Sequence, residues 1–184
     1  MFKNTQSRYG LVAIFLHWFM ALMVIGLFGL GLYMVELTYY DSWYKGSMDL
    51  HKSVGITLAS LLIFRFAWRA LGTQPDPVAG SSALVNKIAH SAHLVIYILL
   101  VCIVISGYLI STADGRSIDV FTLFSIPAIE LSVENQADIA GKIHYWAACS
   151  LIGLVILHAL GALKHHFIDK DKTLIRMIKP QKDD

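Results

Sequence analysis

Four long apolar runs, Leu11 to Val35, His51 to Leu71, Ile88 to Ser111 and Gly141 to Leu163, constrain this chain more than any other feature. A hydrocarbon core about 30 Å thick is crossed by a helix of about 20 residues, which satisfies every backbone N–H and C=O where no water reaches. With 56% of its 184 residues hydrophobic and 15% charged, the chain lies outside the range of soluble domains. The runs and their connections use nearly all of it, so residues 1–184 are expected to form one all-α domain, an integral membrane four-helix bundle. The second run is the least apolar, because His51 and Lys52 open it and Arg65 and Arg69 lie near its end. Long basic side chains snorkel from a span's last turns to the interface, so the helix reading stands. The first run ends without a small-x-small cleavage pattern and reads as a retained span.

The connections set the expected orientation. Pro75, Asp76 and Pro77 mark a turn between runs two and three. The longest connection, Thr112 to Ala140, contains a stretch from Ile118 to Leu131 that is a candidate for lying flat on the membrane surface. With the N-terminus cytoplasmic, the inner side collects Lys3, Arg8, Arg65, Arg69, Lys87, Lys164, Lys170, Lys172, Arg176, Lys179 and Lys182. The outer side then holds only Lys45, Lys52, Arg116 and Lys142. This bias places both termini in the cytoplasm. The outer loops are acidic, with Glu36, Asp41, Asp49, Asp114, Asp119, Glu130, Glu134 and Asp138, and Tyr39, Tyr40, Trp43 and Tyr44 form a candidate aromatic belt. A net charge of +2 offers no footprint for nucleic acid. Cys102 and Cys149 lie within apolar runs, outside any C-x-x-C-H motif, and read as small buried apolar residues.

Eight histidines remain, and an ionisable group at membrane depth defaults to a functional role. In that orientation His51 and His144 lie on the outer side, and His17, His90, His93, His158, His165 and His166 on the inner side. His144 and His158 are fourteen residues apart. On a helix that spacing returns to within ~40° of one face and separates them by ~21 Å along the axis. One helix thus offers a ligand near each surface. The outer pair has a single composition, His51 with His144; on the inner side His158 has His17 or His93 as partner, with His90 less favoured because it sits nearer the interface and depth favouring His17.

Imidazole suits zinc, copper and haem iron. A zinc or copper site would normally add a cysteine, a carboxylate or a third histidine, whereas two axial ligands are what an iron already held by four porphyrin nitrogens requires. Two b-type haems, one for each pair, are therefore the expected cofactors. With both axial positions filled, the chemistry is outer-sphere electron transfer. Arg65, Arg69, Lys52 and Lys142 are candidates to neutralise haem propionates or contact a substrate, against a plain role as snorkelling anchors. Gly26, Gly29, Gly31, Gly107, Gly153 and Gly161 are candidates to let a flat macrocycle approach the backbone, or simply to pack helices.

Four motifs carry a resemblance: F-L-H-W at Phe15 to Trp18, L-H-K-S-V-G-I at Leu50 to Ile56, A-H-S-A-H-L-V-I-Y at Ala89 to Tyr97, and H-H-F-I-D-K-D at His165 to Asp171. Together they resemble the bacterial cytochrome b561 family of di-haem inner-membrane proteins over nearly the whole chain. The resemblance implies His17 with His158 for the inner haem and His51 with His144 for the outer one. That family includes a superoxide oxidase passing electrons from superoxide to ubiquinone, which makes ubiquinone a candidate acceptor here. The acidic outer loops repel an anion at long range, while Lys52 and Lys142 offer a local positive mouth. His165 and His166, with the stretch from Asp169 to Arg176, are candidates for a quinone site, since a quinone takes up protons as it is reduced; the bland alternative is a basic tail held by anionic lipid.

Two other readings compete. The chain would be a haem-bearing membrane subunit docking a separate soluble oxidoreductase, its acidic outer face suiting a basic periplasmic redox partner. Or it would be a transporter with a histidine-lined path, disfavoured because no two spans are broken in matching positions.

Overall fold

The structure, a computed structural model, describes residues 2–78, 80–129, 131 and 133–179; Glu130 and Lys182, counted in the charge balance, lie outside them. Four long helices are present, α1 (Leu11–Glu36), α2 (Tyr44–Leu71), α3 (Ala83–Ser111) and α4 (Gln136–Phe167). All four are long and apolar enough to span a membrane. Large apolar side chains such as Leu22, Ile63, Leu94 and Trp146 point outward and are about two-thirds exposed. Only lipid makes such a surface favourable, so the chain is a four-helix integral membrane protein.

All four helices run longer than their apolar runs, α1 by a single residue. Hydropathy reports the hydrocarbon-crossing part of a helix, whereas the backbone ladder continues into the polar interface. The consequence is largest for α2, which begins at Tyr44 instead of His51 and so carries His51 about two turns inside a formed helix. Cys102 is also placed differently from expectation: it is exposed on α3, where a small apolar side chain facing lipid costs little.

Part of the long connection, from Ile118 to Ile126, folds as a hairpin. Strands β1 (Ile118–Val120) and β2 (Phe124–Ile126) pair antiparallel, with Ile118 opposite Ile126 and Val120 opposite Phe124. Ile118 and Val120 are buried and Asp119 is not, the alternation of a one-sided strand. Phe121 and Thr122 turn at positive φ, 47° and 61°, the pattern of a primed hairpin turn occupied here without glycine. The strain is held from outside: the Ser53 hydroxyl of α2 accepts a hydrogen bond from the Phe121 N–H at 3.0 Å.

Contacts divide the chain into two compact units, each drawing on all four long helices. The termini-bearing unit comprises Met1–Met20, Leu61–Tyr97 and Ile152–Asp184, and the loop-bearing unit Ala21–Ser60 and Ile98–Leu151. Within the former, the short helix α5 (Ile175–Ile178) carries the buried Arg176, which donates to the carbonyls of Asp76 and Ser7, each at 2.9 Å. Trp18 Nε1 donates to the Met177 carbonyl at 2.6 Å. One guanidinium thus ties the carboxyl-terminal segment to the amino-terminal segment and to the α2–α3 turn.

Candidate metal centres

Each unit brings two histidines from different helices face to face. In the loop-bearing unit His51 of α2 meets His144 of α4, with ring centres 6.2 Å apart and planes inclined at 64°. In the termini-bearing unit His17 of α1 meets His158 of α4, at 6.2 Å and 63°. These separations test what such a pair can hold. An imidazole–metal bond of about 2.0–2.1 Å, plus about 1.1 Å from ring nitrogen to ring centre, puts two rings on opposite sides of one metal about 6.3 Å apart. Both pairs fit that span. Two neutral-capable nitrogens with, among the described residues, no cysteine or carboxylate grouped with them fit a metal whose other positions are filled by a macrocycle, and beside the termini-bearing pair stands a third ring, His93.

His93, the other sequence candidate for His158, lies 5.2 Å from it at 63°. That is about an ångström short of a two-sided span. His90 is exposed, and its Nδ1 is 2.9 Å from the Asn86 carbonyl of its own helix, away from either pair.

The loop-bearing pair shows how a ligand is oriented. His144 Nδ1 lies 2.9 Å from the Ile103 carbonyl of α3. A carbonyl can only accept, so Nδ1 carries the proton and Nε2 is left with the lone pair a metal takes. Ser106, one turn further along α3, places its hydroxyl 3.3 Å from the same Nδ1. Neither group carries a sequence signal, since a transmembrane serine usually returns its hydroxyl to its own helix, as Ser106 also does on Cys102. His51 Nδ1, by contrast, is buried without a hydrogen-bond partner among the described residues.

Two of the glycines named as candidates to admit a macrocycle stand directly against the imidazoles. A Cβ on Gly107 would come within 3.1 Å of His144 Cε1, and one on Gly31 within 3.4 Å of His51 Cε1. Around Gly26, Gly29, Gly153 and Gly161 an added Cβ would meet no protein atom within 4 Å.

The remaining candidates fall as follows. Arg65 donates from Nε to the Tyr97 hydroxyl at 2.9 Å and lies within electrostatic reach of His17 and His93. Arg69 is exposed, within reach of His93. Lys52 is paired with Asp49 at 3.0 Å, one turn away on α2, so its charge is already matched locally; Lys142 is exposed. His165 Nδ1 lies 2.6 Å from Asp171 and 3.2 Å from Asp169, and Lys164 also reaches Asp169, at 2.7 Å. His165 is therefore held in a carboxylate cluster, while His166 packs its ring edge-on against Phe167.

Known proteins match this chain over nearly its whole length. The family model described as prokaryotic cytochrome b561 matches residues 8–180. "Cytochrome b561 homolog 2" of Escherichia coli K12 is 49% identical over 96% of this chain and 94% of its own. "Probable superoxide oxidase CybB" of Yersinia pestis is 32% identical over 94% of this chain and 97% of its own. "Cytochrome b561 homolog 1" of Escherichia coli K12 is 27% identical over 96% of this chain and all of its own.

Proposed function

The chain belongs to the prokaryotic cytochrome b561 family, as a multi-pass haem protein of the bacterial inner membrane, and from that premise we propose that it carries electrons between a periplasmic donor, with superoxide the leading candidate, and the ubiquinone pool. The observation that supports this most is the pair of matched histidine couples, each spanning 6.2 Å between ring centres. We assign His51 and His144 to one haem b and His17 and His158 to the other. Each haem, when bound, supplies a one-electron ferric–ferrous couple without an open coordination position. The residues do the rest: His144 is locked in the tautomer that offers Nε2, and Arg65 adds positive charge near His17. Lys142 is the exposed cation beside the loop-bearing pair, and His165 and His166 are the groups for a quinone and its protons. The Lys/Arg bias puts both termini in the cytoplasm. A relative 32% identical and named a probable superoxide oxidase supports superoxide as the donor.

The test uses the purified, haem-loaded protein. A dithionite-reduced spectrum with low-spin b-type bands and two haems per chain is expected. Enzymatically generated superoxide should reduce both haems, and added ubiquinone should reoxidise them with quinol formed. If superoxide leaves the haems oxidised while a soluble periplasmic oxidoreductase reduces them, the chain is the membrane subunit of a larger enzyme. A protein without low-spin haem would end both readings.

A further inference from the structure

The two acceptors around His144 Nδ1 do more than orient it. Ser106 is 3% exposed, so its hydroxyl acts in a low-dielectric setting where hydrogen bonds polarise their partners strongly. It donates to the Cys102 carbonyl at 2.6 Å, with the Ile103 carbonyl at 3.1 Å the longer alternative. Directed at Cys102, the proton points away from the imidazole and an oxygen lone pair faces Nδ1 at 3.3 Å. The Nδ1–H is then shared between the Ile103 carbonyl at 2.9 Å and the Ser106 hydroxyl. A proton pulled by two oxygens leaves more electron density on the ring, and Nε2 becomes a stronger donor. His51 has no such partner among the described residues: its Nδ1 is buried and unpaired there.

We infer that Ser106 is a positioning residue that, with the Ile103 carbonyl, strengthens His144 as a donor and so lowers the reduction potential of the haem in the loop-bearing unit. The inference rests on the assignment of His51 and His144 as axial ligands. A stronger axial donor stabilises ferric over ferrous iron, because the higher charge gains more from the added density. The small residue beside it fits the same arrangement, since a Cβ at position 107 would stand 3.1 Å from His144 Cε1 and the ring would have to give by a few tenths of an ångström.

Spectroelectrochemical titration of the haem-loaded wild type, Ser106→Ala and Ser106→Thr tests this. All three should hold two haems per chain. Ser106→Ala should raise one midpoint potential and leave the other unchanged. Loss of about a tenfold preference for the ferric state corresponds to about 59 mV for one electron. Ser106→Thr, which keeps the hydroxyl, should restore the wild-type value. Should Ser106→Ala fail to assemble, Ser106→Cys fills the same space with a weak acceptor and should give the same one-sided rise. Two haems with both midpoints unmoved in the assembled variant, or both moved equally, would overturn the role of Ser106 and leave the di-haem assignment standing. A wild type holding fewer than two haems would instead overturn the assignment itself.

Discussion

The two histidine pairs are near copies in separation and tilt, yet almost nothing around them is shared. Against the loop-bearing pair stand neutral groups, the Ile103 carbonyl, the Ser106 hydroxyl and the backbone of Gly31 and Gly107, with the cation of Lys142 exposed two residues from His144. The termini-bearing pair has a third imidazole, His93, beside His158 and the guanidinium of Arg65 within electrostatic reach of His17. One helix, α4, contributes a ring to each pair, so helix periodicity makes the two alike, and the neighbours on the other helices make them different. A hydrogen-bonded donor favours the ferric state, whereas a nearby cation favours the added electron.

The largest expected effect is loss of one haem. His144→Ala should reduce pyridine haemochrome stoichiometry from two to one and keep the spectrum of the remaining haem; losing both would mean that the pairs are not independent. Next comes the choice between His17 and His93. Replacing His17 by alanine should remove the other haem, whereas His93→Ala should keep two haems per chain, because its ring sits too close to His158 for a two-sided span. The opposite result would reassign the ligand.

A smaller effect separates the two glycines. The added Cβ of Gly107→Ala lies 3.1 Å from the His144 ring, tighter than an ordinary contact, and that of Gly31→Ala lies 3.4 Å from His51, at its limit. Haem retention on dilution should fall about tenfold in the first, on the scale of a lost supporting contact, and stay near wild type in the second. The smallest effect belongs to the termini-bearing unit and to pH. Burial pushes the Asp171 carboxyl up, but bonds from Thr173 and the His165 ring outweigh it and hold it below the usual carboxylate value. A depressed carboxylate contributes its full stability above about pH 4 and loses it as pH falls through the folded value. The carboxyl-terminal segment should therefore stay docked from pH 7 to about pH 5 and loosen below about pH 4. Trp18, bonded to Met177, reports this by its emission once Trp43, Trp68 and Trp146 are replaced by phenylalanine.

Much of this arrangement was legible along the chain because a bilayer forces simple rules. Lengths of apolar sequence revealed four spans, and a fourteen-residue interval on the fourth put His144 and His158 on one face. What could not be read are groups brought in from elsewhere. Ser106 is 38 positions from His144 and carries no motif. Lys52, read as a local positive charge, is matched by Asp49 one turn earlier, because α2 starts seven residues before its apolar run and includes that aspartate.

By itself, then, the order of residues determined how many times the chain crosses the membrane and which helices carry imidazoles at which depth, since both follow from local periodicity and the cost of burying polar groups in lipid. Tertiary structure supplied the distances, His17 at a metal's span from His158 as the resemblance implied and His93 about an ångström closer, and it alone decided that a carbonyl and a hydroxyl of α3 share the His144 proton. Those outcomes depend on helix rotation and approach to within a few tenths of an ångström, which packing between distant segments sets and no local pattern encodes.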